Sequence, residues 1–356
     1  MAAMEKKDKT LNVPNLRFPE FSGEWDGMEL QDIAPNICSG RDKPSHNGKV
    51  ILYGSTGVIG MTESASYWDE LILVARVGAN AGQLQFANSP CGVTDNALVI
   101  NAHEWNTYIY YYLQYYNLNR LVFGSGQPLI TGGMLKKIKI KSGKNVERLK
   151  ITHLLSLLDQ RIETQKKVIE DLKRLKYAIS KRVFAEMGQH HPVVKLGQLC
   201  SIKTGKLDAN AMIDNGEFPF FTCAREDYRT DTYAFEGDSL LISGNGDIGI
   251  VKRYNGKFNA YQRTYVLQDF IQEIAYVQCF VEHHLPKRVL KEKNVGAMPY
   301  IVLSTLSEMP IILPPTYIQN AICKTIGAIS EQINVEEKIL ANFELQKQYN
   351  LSMMFI

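Results

Sequence analysis

The sequence predicts an α+β protein: two pseudo-symmetric α+β domains separated by two long antiparallel coiled-coil helices. Three observations lead there. First, LLDQRIETQKKVIEDL (Leu157 to Leu172) and AISEQINVEEKILANF (Ala328 to Phe343) carry one apolar stripe twice, with Ile162 and Ile333 separated by 171 residues. Second, the same offset relates Gln127-Pro128 to Met298-Pro299, Leu135 to Leu306, Ile151 to Ile322 and Leu155 to Ile326. A period this long marks a duplicated domain, not a solenoid. Third, short β-rich runs divided by Gly, Asn and Asp precede each stripe, as in KVILYG, DELILVARVG, FPFFTC, DSLLISG and RTYVLQ.

The elements follow in order. Residues 1–15 form a charged tail expected to be flexible, and residues 16–145 the first domain. Within it, MELQDI (from Met28), LILVARVGANAG (from Leu71) and VTDNALVI (from Val93) answer VKLGQL (from Val194), LLISGNGDIG (from Leu240) and AYQRTYVL (from Ala260) of the second. A helix is expected near Trp105–Leu118, with its counterpart near Ile271–His284. Residues 146–188 form the first long helix, with a seam of Leu155, Leu158, Ile162, Ile169, Leu172, Ile179 and Val183, interrupted at Gln165 and Lys176. Residues 189–316 form the second domain. Residues 317–356 form the second helix, with Ile326, Ile329, Ile333, Leu340 and Phe343 in its seam and Glu336 interrupting.

Such 3-4 spacing over several heptads is a coiled-coil pattern. Roughly 40 residues at about 1.5 Å each give helices of about 60 Å. Burying each seam residue is worth about 1.5–3 kcal/mol, so each stripe seeks a partner, and the other helix is the natural one. The second domain leaves the end of one helix and feeds the start of the next. Compact domains keep their termini close, so the pair is expected antiparallel, with a domain at each end of a rod.

At 356 residues the chain has room for two or three domains. A 45% hydrophobic and 22% charged composition is that of a soluble globular protein. No apolar run approaches the roughly 18 residues of a membrane span, and MAAMEKKDKT lacks an apolar signal core, so a cytoplasmic location is expected. Cys38, Cys91, Cys200, Cys223, Cys279 and Cys323 form no CxxC pair, which favours free thiols over a disulfide frame or a zinc site. The net charge of +3 is small, but Lys136–Arg182 holds 15 basic against 5 acidic residues. A second basic scatter runs through Lys203, Lys206, Arg225, Arg229, Lys252, Arg253 and Arg263. Local basic stripes can hold a polyanion on a nearly neutral chain; on a helix they also serve as a solvated face.

Motifs for chemistry are missing. GSTGVIG (from Gly54) has no following Gly-Lys-Ser/Thr and the wrong spacing for a dinucleotide site, so it reads as a turn between strands. In LPPTY (from Leu313), Leu precedes the proline pair where an adenine methyltransferase motif needs Asn or Asp, so it reads as a lead-in to a helix. His190-His191 and His283-His284 are adjacent pairs, which do not share a helix face; surface or linker positions are expected. Asp171-Leu172-Lys173 reads as a solvated ion-pair face, and YIYYYLQYY (from Tyr108) as core and contact rings before a base-stacking ladder.

Two related domains at fixed spacing suit a ligand with two sites in line. Duplex DNA, with half-sites roughly 34–36 Å apart for two-fold readers, is that ligand. Base reading needs Arg, Lys, Asn, Gln, Ser or Thr on loops. That selects Ser55, Thr56, Arg76, Asn80, Thr94 and Asn96 in the first domain. In the second it selects Lys203, Thr204, Lys206, Arg225, Arg229, Asn245, Lys252 and Arg263. Asn80 and Asn245 stand near glycines, where Asn also builds turns. The second domain, being more basic, is expected to contribute more of the sequence-independent affinity.

With these residues in hand, the chain resembles the specificity subunits of Type I restriction–modification enzymes. NVPNLRFPEFSGEWDGMELQDI, YGSTGVIG followed by ILVARVGANAGQ, VTDNALVI, PIILPPTYIQNAI and the two helices carry the resemblance, from about Val13 onward. The first helix departs from the pattern: IKIKSGKNVERL lacks the pair found at Pro314-Pro315. The resemblance implies that both domains are target recognition domains, each reading one half of a bipartite double-stranded DNA site. It implies that the helices set the spacer and dock two methyltransferase subunits, which motor-nuclease subunits can join. S-adenosylmethionine, ATP and Mg would sit on those partners, leaving this chain non-catalytic, without metal or cofactor. Alone, its open helix surfaces are expected to allow a homodimer. The other reading of the residues is a coiled-coil scaffold that binds proteins.

Overall fold

The computed structural model describes residues 12–122, 128–226, 228–292 and 300–356. Most of the expected tail, residues 1–11, lies outside them, as do Gln127, Met298 and Pro299 of the repeat. The chain divides into two compact units, Met1–Lys166 with Ile339–Ile356, and Lys167–Lys338.

In the first unit the chain runs through β1 (Asp26–Glu29), the short helix α1 (Leu30–Ile33) and β2 (Cys38–Ser39) into a hairpin of β3 (Val50–Gly54) and β4 (Gly57–Thr62). The GSTG stretch is that hairpin's turn, as its glycines predict. Strands β5 (Leu71–Ala75), β6 (Leu84–Ala87), β7 (Cys91–Val93) and β8 (Ala97–Ile100) follow. Next come α2 (Asn106–Tyr116), α3 (Gly132–Lys136), β9 (Lys139–Ser142) and the long helix α4 (Asn145–Met187). The strands form sheets of order β2-β8-β5-β6 and β4-β3-β7, with β1 paired to β9. β5, all apolar, is buried at every position, as a central strand requires. Tyr108, Tyr111 and Tyr112 of α2 join Trp25, Leu30, Ile72 and Ile100 in one core. The tyrosine run is therefore packing, not a stacking ladder.

In the second unit β10 (Val193–Lys195), β11 (Ser201–Thr204), β12 (Phe218–Phe221), β13 (Tyr228–Thr230), β14 (Phe235–Ser243), β15 (Val251–Ala260) and β16 (Thr264–Gln268) precede α5 (Ile274–Glu292). α6 (Leu303–Ser307), β17 (Pro310–Ile312) and α7 (Thr316–Met354) complete the chain. Here one sheet of order β11-β16-β14-β15-β12-β13 replaces two, because the single strand β15 occupies the places of β6 and β7. The parallel pairing of β3 with β7 recurs between β12 and β15.

Single bonds repeat as well. Leu30 N–H donates to the Ile138 carbonyl and Leu196 N–H to that of Met309, both at 2.8 Å. The Tyr108 hydroxyl donates to the Lys141 carbonyl at 2.6 Å, and the Tyr276 hydroxyl to Ile312 at 2.7 Å. Gly40 and Gly205 are interchangeable in role: a side chain would begin 2.0 Å from the Val93 carbonyl oxygen or 1.9 Å from that of Ala260. Only glycine lets the two backbones meet that closely.

Both units contain the two long helices, paired antiparallel. In the first, Asp159 meets Lys347 at 2.6 Å and Lys166 meets Glu344 at 3.2 Å. Ile151, Leu155 and Leu158 of α4 share a core with Leu351, Met354 and Phe355 at the far end of α7 and just beyond it. In the second, Lys173 meets Glu337 at 2.6 Å, while Phe184 of α4 shares a core with Ile322 and Ile326 near the start of α7. Leu155, Leu158, Ile162, Ile169, Ile326 and Ile333 are buried, and the remaining seam positions half-buried. The exposed ion pairs add little, about 0–1 kcal/mol each; the stripes hold the helices together. Lys176, which interrupts the seam, is answered by Glu282 of α5 at 3.0 Å.

Two further clusters anchor the helices. Glu147, in the first turn of α4, is buried and receives Arg17 Nε at 2.7 Å, Arg17 Nη2 at 2.8 Å and Trp25 Nε1 at 3.2 Å. His283 and His284 lie in α5 rather than at the surface or in a linker. Both rings pack on Phe184, at 5.5 and 5.2 Å. A neighbouring helix end can touch two adjacent side chains at once, which the one-helix view of faces does not capture.

Candidate nucleic-acid interface

Three loops of the first unit converge. At the end of β5, Arg76 N–H donates to the Asn96 carbonyl at 2.9 Å, and the Arg76 carbonyl accepts from Ile130 N–H at 2.9 Å. Thr94 N–H donates to the Tyr53 carbonyl at 3.0 Å, tying the β7–β8 turn to β3. Gln85 Nε2 donates to the Gly54 carbonyl at 2.7 Å and fixes the hairpin tip that carries Ser55 and Thr56. These bonds gather Ser55, Thr56, Arg76, Thr94 and Asn96. Thr56 and Asn96 are exposed, Ser55 and Arg76 half-buried, and Thr94 buried. Arg76 Nε and Thr94 Oγ1 are buried with no hydrogen-bond partner among the described residues. Two such atoms at one turn cluster call for an explanation, since buried polar groups are nearly always satisfied. Asn80 sits apart, in a turn at Gly78–Asn80, lining a groove of about 490 Å³ with Gln83, Gln114, Asn117 and Asn119.

The second unit repeats the same turn with other side chains. Gly244 N–H donates to the Arg263 carbonyl at 2.9 Å, and the Gly244 carbonyl accepts from Ile301 N–H at 2.8 Å. Tyr261 N–H donates to the Phe221 carbonyl at 2.9 Å. Gly244 thus stands where Arg76 stands, and Arg263 where Asn96 stands. Thr204, Gln262, Arg263 and Tyr265 line a pocket of about 320 Å³ beside Gly244 and Ile301. Lys203, Thr204, Lys206 and Arg263 are exposed, and Asn245 in the β14–β15 loop is half-buried.

The remaining basic candidates each have a partner within the fold, although Arg225 and Arg229 stay exposed. Arg229 donates from Nε to the Gly216 carbonyl at 2.5 Å and from Nη2 to that of Glu217 at 2.7 Å. Arg225 meets Asp247 at 3.3 Å, and Lys252 donates to the Arg225 carbonyl at 2.7 Å. Arg253 grips Asp238 with two bonds, of 2.9 and 2.5 Å, which hold that carboxyl below its usual range. Sequence reading missed Gln85, Gln83, Gln114 and Gln262, although Gln was among the residue types sought. It also missed Gly40 and Gly205, whose shared place in the two halves was the available signal.

Residues 23–174 and 191–345 match the model of a family described as the Type I restriction modification DNA specificity domain. The chain belongs to that family. Its two copies of the specificity domain cover most of the sequence, one for each half of the repeat. The Type I restriction enzyme EcoDI specificity subunit of Escherichia coli is 34% identical over 140 residues, 39% of this chain and 31% of that protein. The MpnII specificity subunit of Mycoplasma pneumoniae is 30% identical over 159 residues, 42% of this chain and 47% of that protein. The chain thus spans less than half the length of these curated relatives. Over 97% of this chain and 99% of the other, the fold matches the crystal structure of a Type I restriction-modification system S subunit from M. genitalium, with a TM-score of 0.68 at 17% identity. Among the described residues of this specificity-domain protein, no helix is long and apolar enough to cross a membrane.

Proposed function

We propose that the chain reads a bipartite DNA sequence for a Type I restriction–modification complex, one half-site per specificity domain. The observation that carries this reading is the turn cluster built twice on the same backbone bonds with different side chains. Arg76 and Asn96 occupy in one unit the places of Gly244 and Arg263 in the other. A shared frame with divergent side chains suits two different half-sites read in the same manner.

Base contacts fall to the accessible groups: Ser55, Thr56, Arg76, Asn80 and Asn96 in one domain, and Lys203, Thr204, Lys206, Asn245 and Arg263 in the other. Arg pairs with guanine edges and Asn with adenine edges. Thr94, Arg225, Arg229 and Lys252 hold the reading loops in place. The chain itself is non-catalytic. Two methyltransferase subunits dock on the helices, motor-nuclease subunits complete the restriction complex, and S-adenosylmethionine, ATP and Mg belong to those partners.

The test is to co-express the chain with its methyltransferase partner and map methylated adenines. Arg76→Ala with Asn96→Ala should relax one half of the recognised sequence and leave the other unchanged; Arg263→Ala should do the reverse. Methylation without a bipartite motif, or both halves changing together, would overturn the reading.

A further inference from the structure

α2 has 11 residues, whereas α5, its counterpart in the second unit, has 19. The equivalence is anchored by the matching bonds of Tyr108 and Tyr276. α2 stops at Tyr116, where Asn117 takes a left-handed conformation with φ of 58°. α5 continues through Pro286 to Glu292. His284, Lys287, Arg288 and Lys291 recur at 3-4 spacing and so share one helix face. With Met309 and Pro310 they line a cleft of about 270 Å³.

The four side chains differ in what they face. His284 stacks on Phe280 at 4.1 Å, and Arg288 is engaged within the fold. Lys287 and Lys291 are exposed, with no ion-pair partner among the described residues. Lys287 Nζ lies 5.2 Å from the centre of the Tyr177 ring of α4. Several other cations of the unit are answered, Lys173 by Glu337, Lys176 by Glu282, Lys195 by Glu308, Arg225 by Asp247 and Arg253 by Asp238, whereas Lys203, Lys206 and Arg263 are exposed as Lys287 and Lys291 are. Two lysines four residues apart on a helix repel each other, so their pairing asks for an anion from outside. The position suits one. On the other face of α5, Leu285 lies where a side chain at Gly249 would touch it, at 3.6 Å, so these turns adjoin the β14–β15 loop that carries Asn245.

We propose that the C-terminal turns of α5, through Lys287 and Lys291, anchor the phosphate backbone of duplex DNA beside the reading loops of the second domain. The inference rests on the DNA-reading function proposed above. Lysine supplies a compact point charge rather than the fork that reads a base edge. Such contacts position the duplex and carry no sequence information. Among the described residues of the first domain, whose helix ends two turns earlier, no lysine pair stands at that place.

Binding of the full chain to a short duplex of random sequence, followed by fluorescence anisotropy from about 50 to 200 mM salt, tests this. Each lost phosphate contact lowers the slope of log affinity against log salt by about 0.9. Lys287→Ala with Lys291→Ala should therefore flatten the slope by about 1.8 and weaken binding about tenfold more at the low-salt end than at the high-salt end. Lys287→Arg with Lys291→Arg should restore both. Lys324→Ala with Lys338→Ala, which removes equal charge from exposed positions of α7, should leave the slope nearly unchanged. Duplex binding by the native chain with no change of slope in the α5 variant overturns the anchor. So does equal flattening in the α7 control, or loss of a methyltransferase partner with the slope intact. Failure of the native chain to bind any duplex overturns the function beneath it.

Discussion

Phe184 and Phe355 are 171 residues apart and play one part twice. Phe355, just past the end of α7, meets Tyr108 of the first unit at 5.4 Å; Phe184, near the end of α4, meets Tyr276 of the second at 6.3 Å. Both phenylalanines are 2% exposed. The last turn of each long helix thus plugs the core beneath the other helix's preceding domain. Phe184→Ala and Phe355→Ala should each cost about 3–5 kcal/mol. Hydrogen exchange should place the loss in Lys167–Lys338 for the first and in the other unit for the second. Uniform loss over both units would count against separate plugs.

Glu147 has a different kind of dependence. Its carboxylate is buried and met by Arg17 and Trp25. Arg17→Ala would strand that charge, at a cost of about 3–5 kcal/mol. Urea unfolding measures it, and Arg17→Ala combined with Glu147→Gln should recover part of the loss. No recovery in the double variant would mean that the arginine acts by packing alone.

The close backbone approaches give a third expectation. Gly40→Ala and Gly205→Ala each push a methyl group far inside van der Waals contact with a carbonyl oxygen, and each should cost about 2 kcal/mol or more. On the function proposed above, Gly40→Ala should also blur the half-site of the first domain only, seen by mapping methylated positions.

The sequence made the seam plain because periodicity needs no knowledge of the fold. The two phenylalanines were legible by the same offset, but they lie past the seam, where the stripe stops being a guide. Side-chain destinations were not legible. Arg229, chosen from the sequence for its residue type, is exposed and also donates to the Gly216 and Glu217 carbonyls, which no sequence pattern announces. Thr94 sits in the β7–β8 turn and is buried there. Hairpin braces and readers draw on the same residue types, and only three-dimensional neighbours separate them.

His283 and His284 yield a pH expectation. Burial, with the nearby His284 and Lys287 charges, lowers His283 to about 4; burial also lowers His284. The folded state therefore favours neutral rings, while the unfolded chain takes up protons near the ordinary value of about 6.5. Their full contribution to stability is present above about 6.5 and is lost as pH falls from there toward 4. The melting temperature should drop across that window, and less steeply in His283→Gln with His284→Gln. An unchanged pH profile in that variant would remove the pair from the acid response.

β15 bears on the two units in another way. Its ten residues run unbroken, while the matching stretch of the first unit is cut between Ala87 and Cys91 by Asn88, Ser89 and Pro90. Proline offers no amide hydrogen to a ladder, so the break is built in. One platform is a single plank and the other is jointed. On the reading proposed above, the two copies would then differ in the continuity of the platform that meets a bent or twisted target as well as in the side chains they present.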